Sequence, residues 1–197
     1  MRLARNLNDV THEEYLHLCK KYGTPMKCHF EAKFLDFECD LVRSSSSKGR
    51  QHDITCFIPR DDGWVTIQKH AYSGTGIFRA PSGGAHFGES LEIAAEREMK
   101  EETGLDIELK HFMVDISLEV KCSEGIIPWR SLVFLAEAVG GEMKAIDTDE
   151  ISDVRVSLRE DMLGPINQLM ENSGWGGFAY RAFLTTKFFE ALDGERK

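Results

Sequence analysis

Three glutamates that could hold a metal ion crowd one short segment, "EREMKEETGL" at residues 96–105. Glu98, Glu101 and Glu102 stand at i, i+3 and i+4, so on a helix they share one patch of the surface. Like charges at these spacings cost about 0.2–0.5 kcal/mol per pair. A hard divalent cation would remove that repulsion, since Mg²⁺ is bound by carboxylates, water and phosphate oxygens. The alternative is a solvated acidic face of an amphipathic helix.

Local patterns place this patch on a helix that follows a glycine-rich loop. The helix is predicted from about Glu89 to Thr103, and Gly104 is the residue expected to end it. Ahead of it runs the glycine-rich passage "YSGTGIFRAPSGGAHFGES". A hairpin is predicted before that passage, with "HDITCFIP" and "WVTIQKH" as its strands and "RDDG" as its turn.

The remaining segments predict a largely β chain with helices at both ends. A first helix is expected over 11–22, with Thr11 as N-cap and Glu14 completing a capping box. The segment 27–42 alternates with a period near two, which predicts a strand, and "SSSSKG" at 44–49 is expected to be a mobile loop. Further elements are predicted by their periodicity: strands at about 106–121, 129–139 and 151–157, and helices at 158–172 and 177–192. The connection between the two long strands is expected at "SEGIIP".

The loop and helix together carry a longer spaced pattern. In "GGAHFGESLEIAAEREMKEETGL", Gly83 is followed after five residues by Glu89 and after seven more by "REMKEETGL". This pattern resembles the Nudix box, and every defining position of the box is filled. The resemblance implies an α+β fold, a Nudix α/β/α sandwich around a mixed β-sheet. To this we expect an N-terminal helix and strand extension, residues 1–50, and a Nudix domain, residues 51–197, that includes C-terminal helices.

The same resemblance implies the roles of individual residues. Glu98, Glu101 and Glu102 look like ligands of Mg²⁺ or Mn²⁺, together with the carbonyl of Ser82, and Arg97 looks like the residue that orients their carboxylates. Glu89 resembles the supporting glutamate of the box. The proton acceptor is expected in a later acidic loop, where the alternatives are Glu142, Asp147, Asp149 and the favoured Glu150. For substrate binding we expect Gly83, Gly84 and Arg130.

The reaction implied by the resemblance is metal-dependent hydrolysis of a pyrophosphate bond. The expected substrate is a small nucleotide, a nucleoside diphosphate linked to another group, with the ADP-ribose or nucleotide-sugar type favoured. Candidate groups for stacking on a base are Trp129, Trp175, Tyr72 and Phe87, and Lys69 is a candidate phosphate partner. A nucleotide-binding sensor without turnover, and an isomerase of isopentenyl diphosphate on the same fold, are the alternatives.

Composition limits the partners and the location. The net charge of -9 argues against a nucleic-acid surface, which needs clustered basic residues. No long apolar run or signal sequence is seen, so we expect no membrane partner and a cytoplasmic protein. The N-terminal extension is similar to segments that build a dimer in the ADP-ribose and nucleotide-sugar group, so a homodimer is expected.

The five cysteines form an odd set without a close pair, which predicts reduced thiols. A zinc site made by Cys28, Cys39, His52 and Cys56 is a less favoured alternative, because structural zinc sites normally use close pairs of ligands.

Overall fold

The fold is built on a mixed sheet with helices on both of its faces. The structure, a computed structural model, describes residues 10–195, so the first nine residues of the predicted extension and the last two of the predicted main domain lie outside it. The helices are α1 His12–Tyr22, α2 Asp36–Ser47, α3 Leu91–Thr103, α4 Arg159–Leu163, α5 Pro165–Asn172 and α6 Gly176–Glu195. The strands are β1 Met26–Lys33, β2 His52–Phe57, β3 Pro59–Arg60, β4 Gly63–Lys69, β5 Ser82–Gly83, β6 Leu105–Cys122, β7 Gly125–Gly141 and β8 Ile151–Ser157.

Two sheets form, and the larger one is mixed. Its order is β1-β6-β7-β2-β5, with β1 parallel to β6, β2 parallel to β7 and the other two pairs antiparallel. The smaller sheet joins β3, β4 and β8, all antiparallel. This confirms the predicted α+β class with a mixed sheet.

Alternation along the central strands divides the apolar core between the two faces of the large sheet. On β7, Leu132 and Phe134 pack with α1 and α3, while Val133 packs with the helices of the C-terminal tail. Successive strand side chains point to opposite faces, so one strand supplies both cores. The apolar positions of the last helix, among them Phe178 and Phe189, lie in the second core as expected.

The predicted strand over 27–42 is only half correct, because the chain turns into α2 at residue 36. The buried carboxylate of Glu38 explains this turn. It accepts hydrogen bonds from the N–H of Leu35 (2.9 Å) at the start of α2, and from Gly176 (3.1 Å) and Gly177 (2.9 Å) at the start of α6. The predicted loop 44–49 is likewise wrong in part, since its first four serines end α2.

The predicted hairpin also needs correction. Only the two residues of β3 pair with β4 across the turn, whereas β2 runs parallel to β7 in the other sheet and β4 pairs with β8. Every residue of β2 is buried, so this strand occupies an interior position that a simple hairpin would not give it. The long strands are confirmed, although β7 begins at Gly125 and leaves only Ser123 and Glu124 to connect them.

Two predicted helices are confirmed: the first helix of the chain, which is α1, and the helix of the box, which is α3. The hydroxyl of Thr11 accepts from the N–H of Glu14 at 3.1 Å. The prediction that Glu14 completes a capping box is wrong, because its carboxylate accepts from the N–H of Leu91 (2.8 Å) at the start of α3. The predicted helix over 158–172 is interrupted at Gly164, which separates α4 from α5.

Two cysteines that are far apart in sequence form a disulfide, so the prediction of reduced thiols is wrong for them. Cys39 on α2 is bonded to Cys122 at the end of β6, 83 residues away. The spacing of these two cysteines in the sequence does not predict the disulfide, because they meet only when the fold brings α2 against β6. The pairing also excludes the zinc set that included Cys39. Within the described residues, Cys19, Cys28 and Cys56 are free.

The N-terminal segment is joined to the rest of the fold by a strand and by a helix. β1 continues the large sheet beside β6. Residues of α1 contact α3, where Glu92 accepts from Lys21 (2.6 Å) and from the hydroxyl of Tyr22. The division at residue 50 remains a prediction. No helix in residues 10–195 has the length and apolar character to cross a membrane.

Candidate active site

Helix α3 positions the three glutamates because its opposite side is fixed in the core. Ser90 caps its first turn by accepting from the N–H of Ile93 (3.3 Å), and Gly104 ends it in the left-handed conformation with φ 75°. Ala94, Ala95 and other apolar residues of the helix are buried against β2 and β6. The acidic side consequently faces the glycine-rich loop and β5.

Glu98 lies directly against the loop backbone. Its Oε1 accepts from the N–H of Gly84 at 3.1 Å. A Cβ added to Gly83 would come within 1.9 Å of Glu98 Cδ, so any side chain at that position would displace the glutamate. Gly83 therefore gives the close approach that the sequence led us to expect.

Glu102 is the most deeply buried of the three, with 3% of its surface exposed. One carboxylate oxygen accepts from the N–H of Ser82 at 2.7 Å, and the other lies 3.2 Å from Lys69 Nζ. Burial raises the pKa of the Glu102 carboxyl, against the opposing effect of the Arg79 and Lys69 charges. A cation close to Glu102 therefore stabilises the ionised form of this buried carboxyl.

Arg97 joins the loop to the helix through one guanidinium group. It donates twice to Glu89, with both distances 2.9 Å, and once to the carbonyl of Gly84, also at 2.9 Å. Its Nη1 lies 3.0 Å from Glu98 and 3.1 Å from Glu101. The hydrogen bonds from Arg97 lower the pKa of the Glu89 carboxyl. Arg97 thus contacts every acid that it was predicted to orient except Glu102.

The acidic loop after β7 packs on the C-terminal end of α3. The carbonyl of Glu101 accepts from the N–H groups of Ile146 (3.0 Å) and Asp147 (2.9 Å). Asp147 in turn accepts from the N–H of Glu150, whose carboxylate forms an ion pair with Lys69. Because Lys69 also contacts Glu102, the structure brings Glu150 to the box carboxylates.

A cleft of about 350 Å³ opens beside these residues. Four carboxylates line it: Asp53, Glu98, Glu102 and Glu150. Four cationic side chains line it as well: Arg50, Lys69, Arg79 and Arg181. A cleft with both charges can hold a cation and an anion side by side, which suits a phosphate bound through a metal ion.

The donor set of the box fits a hard divalent cation by its chemistry. Glu98, Glu101 and Glu102 offer only oxygen ligands, which suit Mg²⁺ or Mn²⁺ and not a soft metal. Their carboxylates are held apart, and within residues 10–195 only His29, Glu31 and Glu119 bring three ligand atoms within 4.8 Å of one another. The reason is that Glu101 turns towards Arg97 while Glu102 is held by Ser82 and Lys69.

Sequence reasoning missed the arginines of the cleft and Asp53. Arg79 is buried and donates to the hydroxyls of Tyr72 (3.1 Å) and Ser82 (2.9 Å). Arg181 on α6 is paired with Asp53 at 2.7 Å. Nothing local marked these residues, since they come from segments outside the box.

Arg130, expected to bind substrate, lies at a different cavity. Its guanidinium makes two hydrogen bonds of 2.8 Å to Asp115 and stacks over the ring of Tyr15 at 4.5 Å. That cavity, of about 390 Å³, is not lined by the box glutamates. The structure therefore does not bring Arg130 together with the predicted metal ligands.

Of the four aromatic residues considered for stacking on a base, one lines the cleft. Trp129 on β7 does so. Tyr72 is buried and Trp175 stacks on Phe178 (ring centroids 5.0 Å apart). Phe87 is 73% exposed and does not line the cleft.

The fold and the box define a Nudix protein, and comparison with known proteins agrees. The family model of the NUDIX domain matches residues 49–173, so the chain belongs to the Nudix family. It is 34% identical over 90 residues to the ADP-ribose pyrophosphatase of Methanocaldococcus jannaschii, which covers 46% of this chain and 52% of that protein. It is 31% identical over 102 residues to the NAD-capped RNA hydrolase NudC of Vibrio atlanticus, covering 49% of this chain and 33% of that protein.

The chain thus spans between a third and about half of the length of these curated relatives. Among solved structures, a NUDIX hydrolase from Nitrosomonas europaea superposes with a TM-score of 0.53 at 18% identity, over 75% of this chain and 91% of that one. At this identity the superposition shows a shared fold.

Proposed function

We propose that the chain is a metal-dependent Nudix pyrophosphohydrolase that cleaves a nucleoside diphosphate linked to another group. One observation carries the proposal: residues of a complete Nudix box line a cleft that also contains cationic side chains. The relative named as an ADP-ribose pyrophosphatase favours ADP-ribose, and nucleotide sugars are the closest alternative. We also propose a homodimer and a cytoplasmic location, where the Cys39–Cys122 disulfide would be one of the few that persist in a reducing compartment.

The proposed metal ligands are Glu98, Glu101, Glu102 and the carbonyl of Ser82. When bound, Mg²⁺ or Mn²⁺ would neutralise phosphate oxygens and lower the pKa of a bound water. Arg97 would hold the orientation of Glu98 and Glu101 through its contacts of 3.0 and 3.1 Å.

Glu150 is the proposed proton acceptor. Water attacks one phosphorus of the pyrophosphate, its proton passes to the Glu150 carboxylate, and the bridging P–O bond breaks with the oxygen leaving on the second phosphate. Lys69 contacts Glu150 and Glu102 together, so it can position the proton acceptor relative to the metal ligands. Gly83 and Gly84 would allow the substrate to lie close to the loop backbone.

The test is a substrate panel with Mg²⁺ present, including ADP-ribose, nucleotide sugars and dinucleotides, with detection of the released phosphate species. Glu101→Gln and Glu102→Gln are each expected to lower turnover by roughly 100-fold or more while the protein stays folded. Glu108→Gln is the matched control, since Glu108 is exposed, does not line the cleft and pairs with Lys110 at 2.7 Å. Full activity in both box variants would contradict the proposal.

The sensor alternative gives a different outcome in the same assay. It requires tight binding of a nucleotide with no hydrolysis across the panel. The complete box speaks against it, because every position that the proposed chemistry uses is filled.

A further inference from the structure

One wall of the cleft is built by residues outside the box. Leu41, Val42 and Ser45 come from α2, Arg50 follows that helix, and Trp129 lies on β7. The apolar members are unusual for a charged cleft, and Leu41 is 67% exposed there. This wall combines a flat aromatic surface, apolar neighbours and a cation.

Arg50 is held in a defined place within this wall. Its Nη2 donates to the hydroxyl of Ser45 at 3.1 Å, and its guanidinium carbon lies 5.9 Å from the centre of the Trp129 ring. A Cβ added to Gly84 would come within 2.4 Å of Arg50 Nη1, so the glycine makes room for the guanidinium. The N–H of Gly84 also donates to Glu98, so Arg50 contacts both Trp129 and the loop residue that binds a box carboxylate.

Two of the four cations that line the cleft, Arg50 and Arg79, form no ion pair with a carboxylate of residues 10–195. Arg79 is buried, and its Nε and Nη1 donors are used by Tyr72, Ala80 and Ser82, which leaves Arg50 as the accessible one. Lys69 pairs with Glu102 and Glu150, and Arg181 pairs with Asp53. Within residues 10–195, no carboxylate lies within ion-pair distance of Arg50. A guanidinium with free donors in a partly buried cleft is suited to bind a phosphate.

The contacts therefore run in a fixed order, from Trp129 to Arg50 to Gly84 to Glu98. A nucleoside diphosphate derivative has the matching order of base, first phosphate and scissile bond. Base stacking on an aromatic side chain contributes about 1–3 kcal/mol. The wall offers nothing comparable to a substrate without a base, since its remaining neighbours Leu41 and Val42 are aliphatic.

We propose that Trp129 and Arg50 form the nucleotide subsite of this cleft, with the indole stacking on the base and the guanidinium binding the adjacent phosphate. The proposal rests on the proposed function for the nature of the substrate. It assigns recognition of the nucleotide to Arg50, in the loop between α2 and β2, and to Trp129 on β7. The box would carry the chemistry separately.

The test is calorimetric binding of two probes, ADP and inorganic pyrophosphate, in magnesium buffer. Arg50→Ala is expected to weaken both probes by roughly tenfold or more, since hydrogen bonds to charged groups contribute about 1.5–3 kcal/mol. Trp129→Leu is expected to weaken ADP by roughly 5- to 150-fold, from the stacking energy, and to leave pyrophosphate within about threefold of wild type.

Arg43→Ala is the matched control, on the helix α2 that precedes Arg50. Arg43 pairs with Asp40 (3.0 Å) and Glu124 (3.2 Å) away from the cleft, so ADP binding should not change. Arg50→Lys keeps the charge without the fork of donors and should bind ADP between wild type and Arg50→Ala. Thermal denaturation establishes that each variant is folded.

The proposal is overturned if folded Arg50→Ala or Trp129→Leu binds ADP as wild type does, if Trp129→Leu weakens both probes equally, or if wild type fails to bind either probe. A hydrolysis assay on the same preparations separates this from the proposed function. If the wild type hydrolyses substrate but the variants bind ADP as the wild type does, only the subsite proposal is rejected. If the variants show the expected binding pattern but no preparation hydrolyses substrate, only the proposed hydrolase function is rejected.

Discussion

At the scale of residues, the chemistry of the box depends on how closely its side chains approach the loop backbone. Glu98 reaches the N–H of Gly84 only because Gly83 has no side chain in its path. Arg97 then contacts Glu98, Glu89 and Glu101 with one rigid guanidinium. A lysine could not make these contacts together, because its ammonium is a single point of charge.

Gly83→Ala is therefore expected to damage activity more than stability. The added Cβ would force the Glu98 carboxylate away from Gly84 and Arg97, and a misplacement of about 1 Å can cost roughly 100-fold in rate. Stability should fall by only about 1–3 kcal/mol, since the displaced atoms belong to a flexible side chain. Steady-state kinetics and urea unfolding measure the two effects. Gly194→Ala, with open space around its position, is the control; equal activity in both variants would contradict the account.

At the scale of elements, α2 is held by two long-range contacts made by adjacent residues near its N-terminal end. Glu38 joins its first turn to the start of α6, and Cys39 bonds it to the end of β6. A cross-link over 83 residues restricts the unfolded chain strongly.

The Cys39→Ser, Cys122→Ser double variant is expected to lose about 2–5 kcal/mol of unfolding free energy. Urea unfolding with and without a reducing agent measures this. Reductant should shift the wild-type midpoint and leave the double variant unchanged. Cys28→Ser, which removes a free thiol, should respond to reductant like wild type. A wild-type midpoint that does not move would contradict the role of the disulfide.

The link between the loop and α3 should depend on pH through Glu89. Arg97 lowers the pKa of the Glu89 carboxyl in the folded protein, so this link stabilises above the unfolded pKa and is lost as pH falls through the folded pKa. Glu89→Gln should cost about 1.5–3 kcal/mol at pH 7, and the difference from wild type should shrink in acid. Urea unfolding at pH 7 and near pH 3 tests the sign; a difference that grows in acid would refute it.

At the scale of the whole molecule, the cleft is assembled from segments spread along the chain. It takes one wall from α3 and β5, another from α2 and β7, and Arg181 from α6. The chain has a net charge of -9, and four carboxylates line the cleft. Four cationic side chains line the cleft as well, so a bound divalent cation would add the net positive charge that attracts a polyanionic substrate.

Mg²⁺ is accordingly expected to stabilise the folded protein even without substrate. At 100 times its dissociation constant a ligand adds about 2.7 kcal/mol, which for a chain of this size raises Tm by roughly 5–10 °C. Glu98→Gln should reduce this shift, whereas Glu108→Gln, a change at an exposed residue outside the cleft, should retain it. Thermal denaturation with Mg²⁺ and with a chelator measures both, and the same shift in the two variants would argue against a site at the box.

The sequence by itself determined the box, its helix and the mixed α+β class. These depend on local rules: the i, i+3 and i+4 spacing of Glu98, Glu101 and Glu102, the cap residues Ser90 and Gly104, and the alternation of the long strands. The same locality explains why β6, β7 and β8 were predicted nearly in full.

Only the tertiary structure decided α2, the partner of β2 and the basic side of the cleft. Glu38 caps its own helix and also accepts from Gly176, 138 residues away, and Arg181 donates to Thr55 across 126 residues. The alternation of residues 36–42 favours a strand, but the contacts of Glu38 and Cys39 with distant residues stabilise the helix α2 instead. The free energy of such long-range contacts is gained only when the whole chain folds. A short window of sequence therefore does not predict them.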